Sequence, residues 1–188
     1  RWKWNKNISA HINLGSLSLL NKPSHFTQES DTEWGLVEGY AEFQSVYGKA
    51  RMGLIPLQYA KEGSFRESQL DWPRSLLYRK RVVGLRDFGF QYLMENEGYY
   101  TRLAVHNGES GLNKDGRFWI TGTWGWTDSR LLEWGVSGQT GTTKPISTSE
   151  SKDNLAEVNP QLAEKWKMGT LFMHWTPNQW STLVEVTW

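Results

Sequence analysis

The residue types that most often carry catalysis or bind metals are sparse and scattered in this sequence. It has no cysteine, and its four histidines show no ligand-like spacing to one another or to clustered acids: His11, His25, His106 and His174. Two acid pairs could act as acid and base only in a closed site, and solvated carboxylates are the commoner arrangement: Glu38 with Glu42, and Glu95 with Glu97. Phosphate-binding glycine loops and nucleophile triads are absent. The sequence therefore predicts no enzyme, no metal and no cofactor.

Length and charge narrow the class of protein. The 188 residues suit one domain with its own core, and the net charge of +1 gives no reason to expect a nucleic-acid partner. No run of about 18 apolar residues occurs, so no membrane-spanning helix is predicted. A membrane-spanning β-barrel is not excluded, because its strands turn only every second side chain toward lipid.

The elements that must position the polar side chains are recognisable by alternating polarity. A period of two residues is typical of β-strands with two different faces. The predicted strands are 2–14, 35–45, 50–57, 86–94, 99–107, 117–126, 131–140, 166–175 and 179–188. The sequence therefore predicts an all-β chain of about nine strands.

The predicted connections alternate between long and short. Long or medium connections occupy 15–34, 58–85, 108–116 and 141–165, and short ones occupy 46–49, 95–98, 127–130 and 176–178. Strict alternation places all long loops at one end of an up-and-down sheet, as in outer-membrane β-barrels. A soluble Greek-key sandwich has no reason to keep this rhythm.

The two faces of the predicted strands differ in chemistry. In five strands one set of alternate residues carries no Asp, Glu, Lys or Arg, as at Phe118, Ile120, Trp124 and Trp126. The opposite set is small or hydrogen-bonding, as at Thr121, Thr123 and Gly125 of the same strand. This pattern favours a transmembrane antiparallel up-and-down β-barrel, with the apolar face toward lipid and the polar face toward a wet lumen.

Aromatic residues concentrate near the predicted strand ends, where amphipathic rings favour the headgroup level of a bilayer. The predicted membrane-interface aromatics are Tyr99, Trp124, Trp126, Trp134, Trp180 and Trp188. A soluble Trp-rich β-sandwich that binds carbohydrate is the alternative, because its inward face would also exclude charge and its exposed Trp rings would stack on sugars.

Three short segments of the sequence resemble segments of a known protein family. They are "GKARMGLIPLQY" at 48–59, "YRKRVVGLRDFGFQY" at 78–92 and "TRLAVHNGESG" at 101–111. Over about 33–140, and more loosely to 188, the chain resembles the phosphate-selective (O and P type) porins of bacterial outer membranes. The matching positions are Arg51, Gly53, Pro56, Gly84, Arg86, Asp87, Gly89, Asn107 and Gly108.

The resemblance implies that loop 58–85 folds inward as a pore constriction. This loop holds six basic and three acidic residues, a local excess of +3. Basic rings in a narrow passage attract anions and repel cations. The predicted pore-lining, anion-binding residues are Arg66, Arg74, Arg79, Lys80, Arg81, Arg86 and Arg102. The alternatives for "YRKR" at 78–81 are a solvated loop end or a patch that touches lipopolysaccharide phosphates. The alternative for Arg86 is a salt bridge with Asp87 in the lumen.

The resemblance also implies a larger assembly. The family barrel has about sixteen strands and is commonly a homotrimer, so residues 1–188 are expected to be a single barrel domain that is part of a larger barrel. The predicted function is passive diffusion of small hydrophilic, anion-preferring solutes across the outer membrane. The predicted partners are those solutes, the lipid bilayer and lipopolysaccharide. A plugged barrel with an anchoring role is a further alternative.

Overall fold

The computed structural model describes residues 2–16, 34–65, 75, 84, 86–108, 118–128, 131–142, 165–176 and 181–188. The regular elements in these ranges are ten β-strands and one 3-10 turn at Glu62–Ser64. The strands are β1 (Trp2–Lys3), β2 (Ile8–Ser16), β3 (Trp34–Ser45), β4 (Gly48–Pro56), β5 (Arg86–Asn96), β6 (Tyr99–His106), β7 (Trp119–Thr127), β8 (Leu132–Gly141), β9 (Trp166–Trp175) and β10 (Thr182–Thr187). No helix in this part of the chain is long and apolar enough to cross a membrane.

The ten strands form one antiparallel sheet in which every strand pairs with its neighbours in sequence. This confirms the predicted all-β, up-and-down architecture. Among the described strands, β1 and β10 form the two edges and do not pair with each other, so the sheet is not closed into a barrel.

The predicted first strand, 2–14, is wrong in one respect, because it is two strands joined by a turn. Asn5 Oδ1 accepts hydrogen bonds from the backbone N–H groups of Asn7 and Ile8, both at 2.8 Å, and this side chain caps the reversal. Lys6 interrupts the apolar phase of Trp2, Trp4 and Ile8, and the three consecutive polar residues 5–7 mark the reversal that the prediction missed. The sheet therefore has ten strands rather than nine.

The predicted alternation of connections is confirmed. Connections of two to six residues join β1–β2, β3–β4, β5–β6, β7–β8 and β9–β10 at one end of the sheet, which we call the short-turn end. At the β5–β6 hairpin, Glu97 and Gly98 have φ of +49° and +85°. Positive φ at both central residues is the turn that matches the twist of paired strands.

Burial alternates along the strands in the phase that the sequence predicts. Thr121, Thr123 and Ser137 are buried, whereas their neighbours Ile120 and Trp124 are 52% and 42% exposed. The face with the buried hydroxyls is here called the polar face. The other, the apolar face, carries exposed side chains from β4 to β10: Met52, Phe90, Met94, Tyr99, Leu103, Val105, Ile120, Trp124, Trp134, Val136, Leu171, Met173, Val184 and Val186.

The packed core lies on the polar face. It forms where residues 57–65, which we call the transverse segment, pack against the strands. One cluster contains Tyr59, Ala60, Tyr100, Met168 and Phe172, and a second contains Ile55, Leu57 and Ala104. The expectation of a polar face that is wet throughout is therefore too simple. Large rings cover part of it, because glycines of β7 and β8 leave room for them.

Candidate functional site

The transverse segment leaves β4 and crosses the polar face as far as β10. Hydroxyl groups of three strands hold its first part. The contacts are Thr123 Oγ1 donating to Gln58 O at 3.0 Å, Ala60 N donating to Ser137 Oγ at 2.9 Å, and the hydroxyls of Tyr59 and Thr170 at 2.7 Å. These strands are β7, β8 and β9, so residues 58–60 cross three neighbouring strands of the sheet.

Carboxylates hold the next part of the transverse segment. Glu185 Oε1 on β10 accepts hydrogen bonds from the backbone N–H groups of Lys61, at 3.0 Å, and Glu62, at 2.9 Å. The Lys61 ammonium group contacts the Glu133 carboxylate on β8. Tyr100 O–H donates to the other oxygen of Glu133 at 2.6 Å. Hydrogen bonds to charged groups are about twice as strong as neutral ones, so these contacts anchor residues 61 and 62.

Tyr59 and Ala60 lie where the part of the segment held by hydroxyl groups meets the part held by carboxylates. Burial raises the pKa of the Tyr59 phenol, so this side chain keeps its proton where it meets Thr170. Ala60 is buried and has φ of +51°, a left-handed conformation that is uncommon for a residue with a Cβ atom. The surrounding contacts therefore impose a sharp backbone turn at Ala60.

A cavity of about 200 Å³ lies beside the carboxylate-held part, close to the short-turn end. Its polar lining comes from Lys61, Glu133, His174, Thr127 and Thr176. It is open to solvent on one side, so water and small solutes reach the Lys61–Glu133 pair from this cavity.

Aromatic contacts hold Phe65 at the same place. The Phe65 ring packs edge-on against the His174 ring, with centroids 5.6 Å apart, and Lys61 Nζ lies 5.2 Å from the Phe65 centroid. The end of the transverse segment therefore lies over β8 and β9.

A separate charged group lies on the β3–β5 part of the polar face. Arg51 Nε donates to Glu42 Oε2 at 2.9 Å, and the guanidinium lies 5.0 Å from the centre of the Tyr40 ring. Gln91 accepts from Arg51 at 3.4 Å and donates to Pro56 O at 3.2 Å. These contacts tie Pro56, the last residue before the transverse segment, to a paired cation.

One buried group has the geometry of a catalytic relay. His106 Nδ1 lies 2.7 Å from Asp87 Oδ2, and His106 Nε2 lies 2.8 Å from Thr121 Oγ1. The three side chains are almost completely inaccessible, so no substrate reaches the hydroxyl. Asp87 also accepts a hydrogen bond from Gly108 N, which fixes the backbone after β6. The arrangement therefore acts as a structural network in the sheet.

Of the predicted anion-binding residues, Arg86 and Arg102 lie in the described part of the chain. Arg86 contacts Glu38 at 3.5 Å, while Asp87 bonds to His106, so the alternative of an Arg86–Asp87 pair is wrong. Arg102 lies on the polar face with its guanidinium 4.4 Å from the Tyr100 ring centre. Its buried Nη1 has no hydrogen-bond partner among the described residues.

The other predicted anion-binding residues lie outside the described residues: Arg66, Arg74, Arg79, Lys80 and Arg81. Of the predicted constriction loop 58–85, the structure describes 58–65, 75 and 84. Its described beginning lies on the polar face. Glu62 links it to residue 75, because Glu62 Oε1 accepts a hydrogen bond from Ser75 N at 2.6 Å.

Four predicted interface aromatics come together at the short-turn end. Tyr99, Trp126 and Trp134 are in register on β6, β7 and β8. Trp124 stacks on Tyr99 with centroids 6.0 Å apart and meets Trp134 edge-on at 5.5 Å. Trp188 is instead paired with Gly169 at the opposite end of the sheet, and Trp180 lies outside the described residues.

The sequence did not identify Tyr59 or Glu185 as functional. The sequence does distinguish Glu185, because it is the one charged residue in "TLVEVT" at 182–187 and lies on the strand face opposite Val184 and Val186. Tyr59 carries no such signal, because it lies in a connection where alternation does not apply.

Comparison with known proteins adds no relative, since no protein-family model, curated protein or solved structure matches this chain.

Proposed function

We propose that this chain forms the wall of a bacterial outer-membrane β-barrel pore through which small hydrophilic solutes diffuse passively. The observation that carries the proposal is the inverted polarity of the sheet. Its apolar face is exposed on seven neighbouring strands, and its polar face holds the hydrogen-bonded core. Exposed apolar patches on soluble monomers rarely exceed a few hundred Å², so a face of this extent needs an apolar environment.

Closure of the sheet is part of the proposal. An open edge in hydrocarbon would leave backbone N–H and C=O groups without partners, at several kcal/mol each. The exposed edges of β1 and β10 therefore pair with further strands in the membrane. The porin resemblance suggests about sixteen strands and a homotrimer.

The transverse segment narrows the proposed pore. It leads into the stretch of the sequence whose local charge is +3, and Arg102 adds a cation on the polar face without a described carboxylate partner at ion-pair distance. Fixed cations in a narrow passage favour anions. The solutes proposed for this pore are therefore small, hydrophilic and preferentially anionic, and the proposed activity is not enzymatic.

Reconstitution into planar bilayers tests the pore. We expect stepwise conductance and, in a KCl gradient, a reversal potential of the sign that indicates anion preference. Arg102→Gln should shift that potential toward cation preference, because it removes a cation from the polar face. Lys167→Gln is the matched control, since Lys167 is exposed and pairs with Thr140 on the other face. Absence of conductance contradicts the pore, and an unshifted potential in Arg102→Gln contradicts the role of this side chain.

A plugged barrel with an anchoring role is the second candidate. It is favoured by the contacts that bind residues 58–62 to β7, β8, β9 and β10. A plugged barrel requires detergent for extraction and gives no solute flux. The soluble carbohydrate-binding sandwich differs from both, because it would remain in solution without detergent.

A further inference from the structure

The transverse segment is held by two kinds of contact that respond differently to acid. Residues 58–60 are held by the hydroxyls of Thr123, Ser137 and Thr170, which do not titrate in the range where proteins work. Residues 61 and 62 are held by the carboxylates of two glutamates on β8 and β10. Only the second set of contacts depends on ionised side chains.

We propose that Glu133 and Glu185 form a pH-dependent clamp that holds residues 61–65 on the polar face near neutral pH and releases them in acid. Residues 57–60 remain bound throughout, and the left-handed turn at Ala60 lies at the boundary between the held and the released parts. The clamp concerns regulation of the pore proposed above, and only its effect on current rests on that function.

Acid acts on the clamp at three points. Protonation of Glu133 removes the charge that attracts the Lys61 ammonium group. Protonation of Glu185 turns its charge-assisted bonds to two backbone N–H groups into weaker neutral ones. Protonation of His174, which lines the same cavity as Lys61, adds a like charge beside it.

The other charged groups around the clamp do not oppose its release in acid. The titratable and charged groups that face it are Tyr59, Lys61 and Glu62 of the transverse segment, Tyr100 and Arg102 of β6, Glu133 of β8, His174 of β9 and Glu185 of β10. Tyrosine, lysine and arginine side chains already carry their protons at neutral pH, so acid adds no negative charge to this set. Neutralised acids and a charged histidine therefore leave an excess of positive charge around Lys61.

Distance measurement by pulsed electron paramagnetic resonance in detergent tests the clamp without reference to conduction. The chain has no cysteine, so Val46→Cys with Ser64→Cys gives a unique pair of spin labels, one on an exposed turn and one in the clamped part. We expect one narrow distance distribution at about pH 7.5 and a broad one at about pH 2.5, well below the reference glutamate value of about 4.3, because the contact with Lys61 opposes protonation of Glu133. The pair Val46→Cys with Gln58→Cys should stay narrow at both values.

Charge-neutral variants identify the groups responsible. Glu133→Gln, Glu185→Gln and the independent variant Lys61→Gln should each broaden the 46–64 distribution already at about pH 7.5, whereas the matched control Glu95→Gln at an exposed strand end should not. A wild-type distribution that stays narrow down to about pH 2.5, or variants indistinguishable from wild type, would overturn the clamp. A clamp that opens in a protein without conductance would overturn the pore and leave the clamp standing.

Discussion

At the scale of single residues, two glycines decide where large rings fit on the polar face. A Cβ atom at Gly125 would lie 2.6 Å from the Tyr100 ring, and one at Gly135 would lie 2.6 Å from Phe172 Cζ. Tyr100 and Phe172 belong to the cluster under the transverse segment. The absence of a side chain at these positions therefore allows the sheet to hold that segment close.

Gly135→Ala tests this packing against a control in the same strand. The new methyl group would also lie 2.6 Å from Trp124 O, a backbone atom that cannot move away easily. We expect a loss of about 1–3 kcal/mol in the free energy of unfolding, measured by urea titration in detergent. At Gly138 the nearest atom to an added Cβ is 3.9 Å away, so Gly138→Ala should be close to neutral. Equal effects at both positions would contradict the packing argument.

At the scale of elements, hydroxyl groups on neighbouring strands hold the transverse segment by hydrogen bonds, and these groups lie at the same height along the sheet. Thr123 and Ser137 are in register on β7 and β8 and lie 2.8 Å apart through their Oγ atoms. One bonds to Gln58 O and the other to Ala60 N. The strand register therefore sets the path of the segment.

The double variant Thr123→Val with Ser137→Ala should loosen residues 57–60. Removing these partners leaves a buried N–H and a buried C=O unsatisfied, at about 1–3 kcal/mol for each group. In single-channel recordings we expect stronger current fluctuation than in wild type, because the segment becomes mobile within the proposed pore. Thr101→Val on the apolar face provides the control and should leave the current unchanged. A quiet current in the double variant would indicate that these bonds do not hold the segment.

At the scale of the whole molecule, the polarity of the two faces decides the environment. Val136 lies in the middle of β8 on the apolar face, in register with Trp124 and Leu171. Thr140 lies on the same face near the strand end and is paired with Lys167. A lysine is therefore already present on the apolar face at the depth of Thr140. The two positions therefore sample different depths of the proposed bilayer.

Val136→Lys should reduce the folded fraction in lipid vesicles far more than Thr140→Lys. A lysine costs about 2–4 kcal/mol at the bilayer midplane and about 0–1 near the interface. Folding can be followed by protease resistance of the vesicle-inserted protein. In a soluble sandwich with the same exposed face, both substitutions would stay within about 0.5 kcal/mol in plain buffer, and that result would contradict the membrane proposal.

The sequence by itself determined which side chains share a face, because alternation with a period of two depends only on neighbouring residues, such as Thr121, Thr123 and Trp124. Connection lengths likewise determined the up-and-down order. Tertiary structure alone decided that Tyr59 meets Thr170, 111 residues away, and that Glu185 binds Lys61, 124 residues away. The path of a connection depends on the surface it packs against, and that surface exists only once the strands have paired.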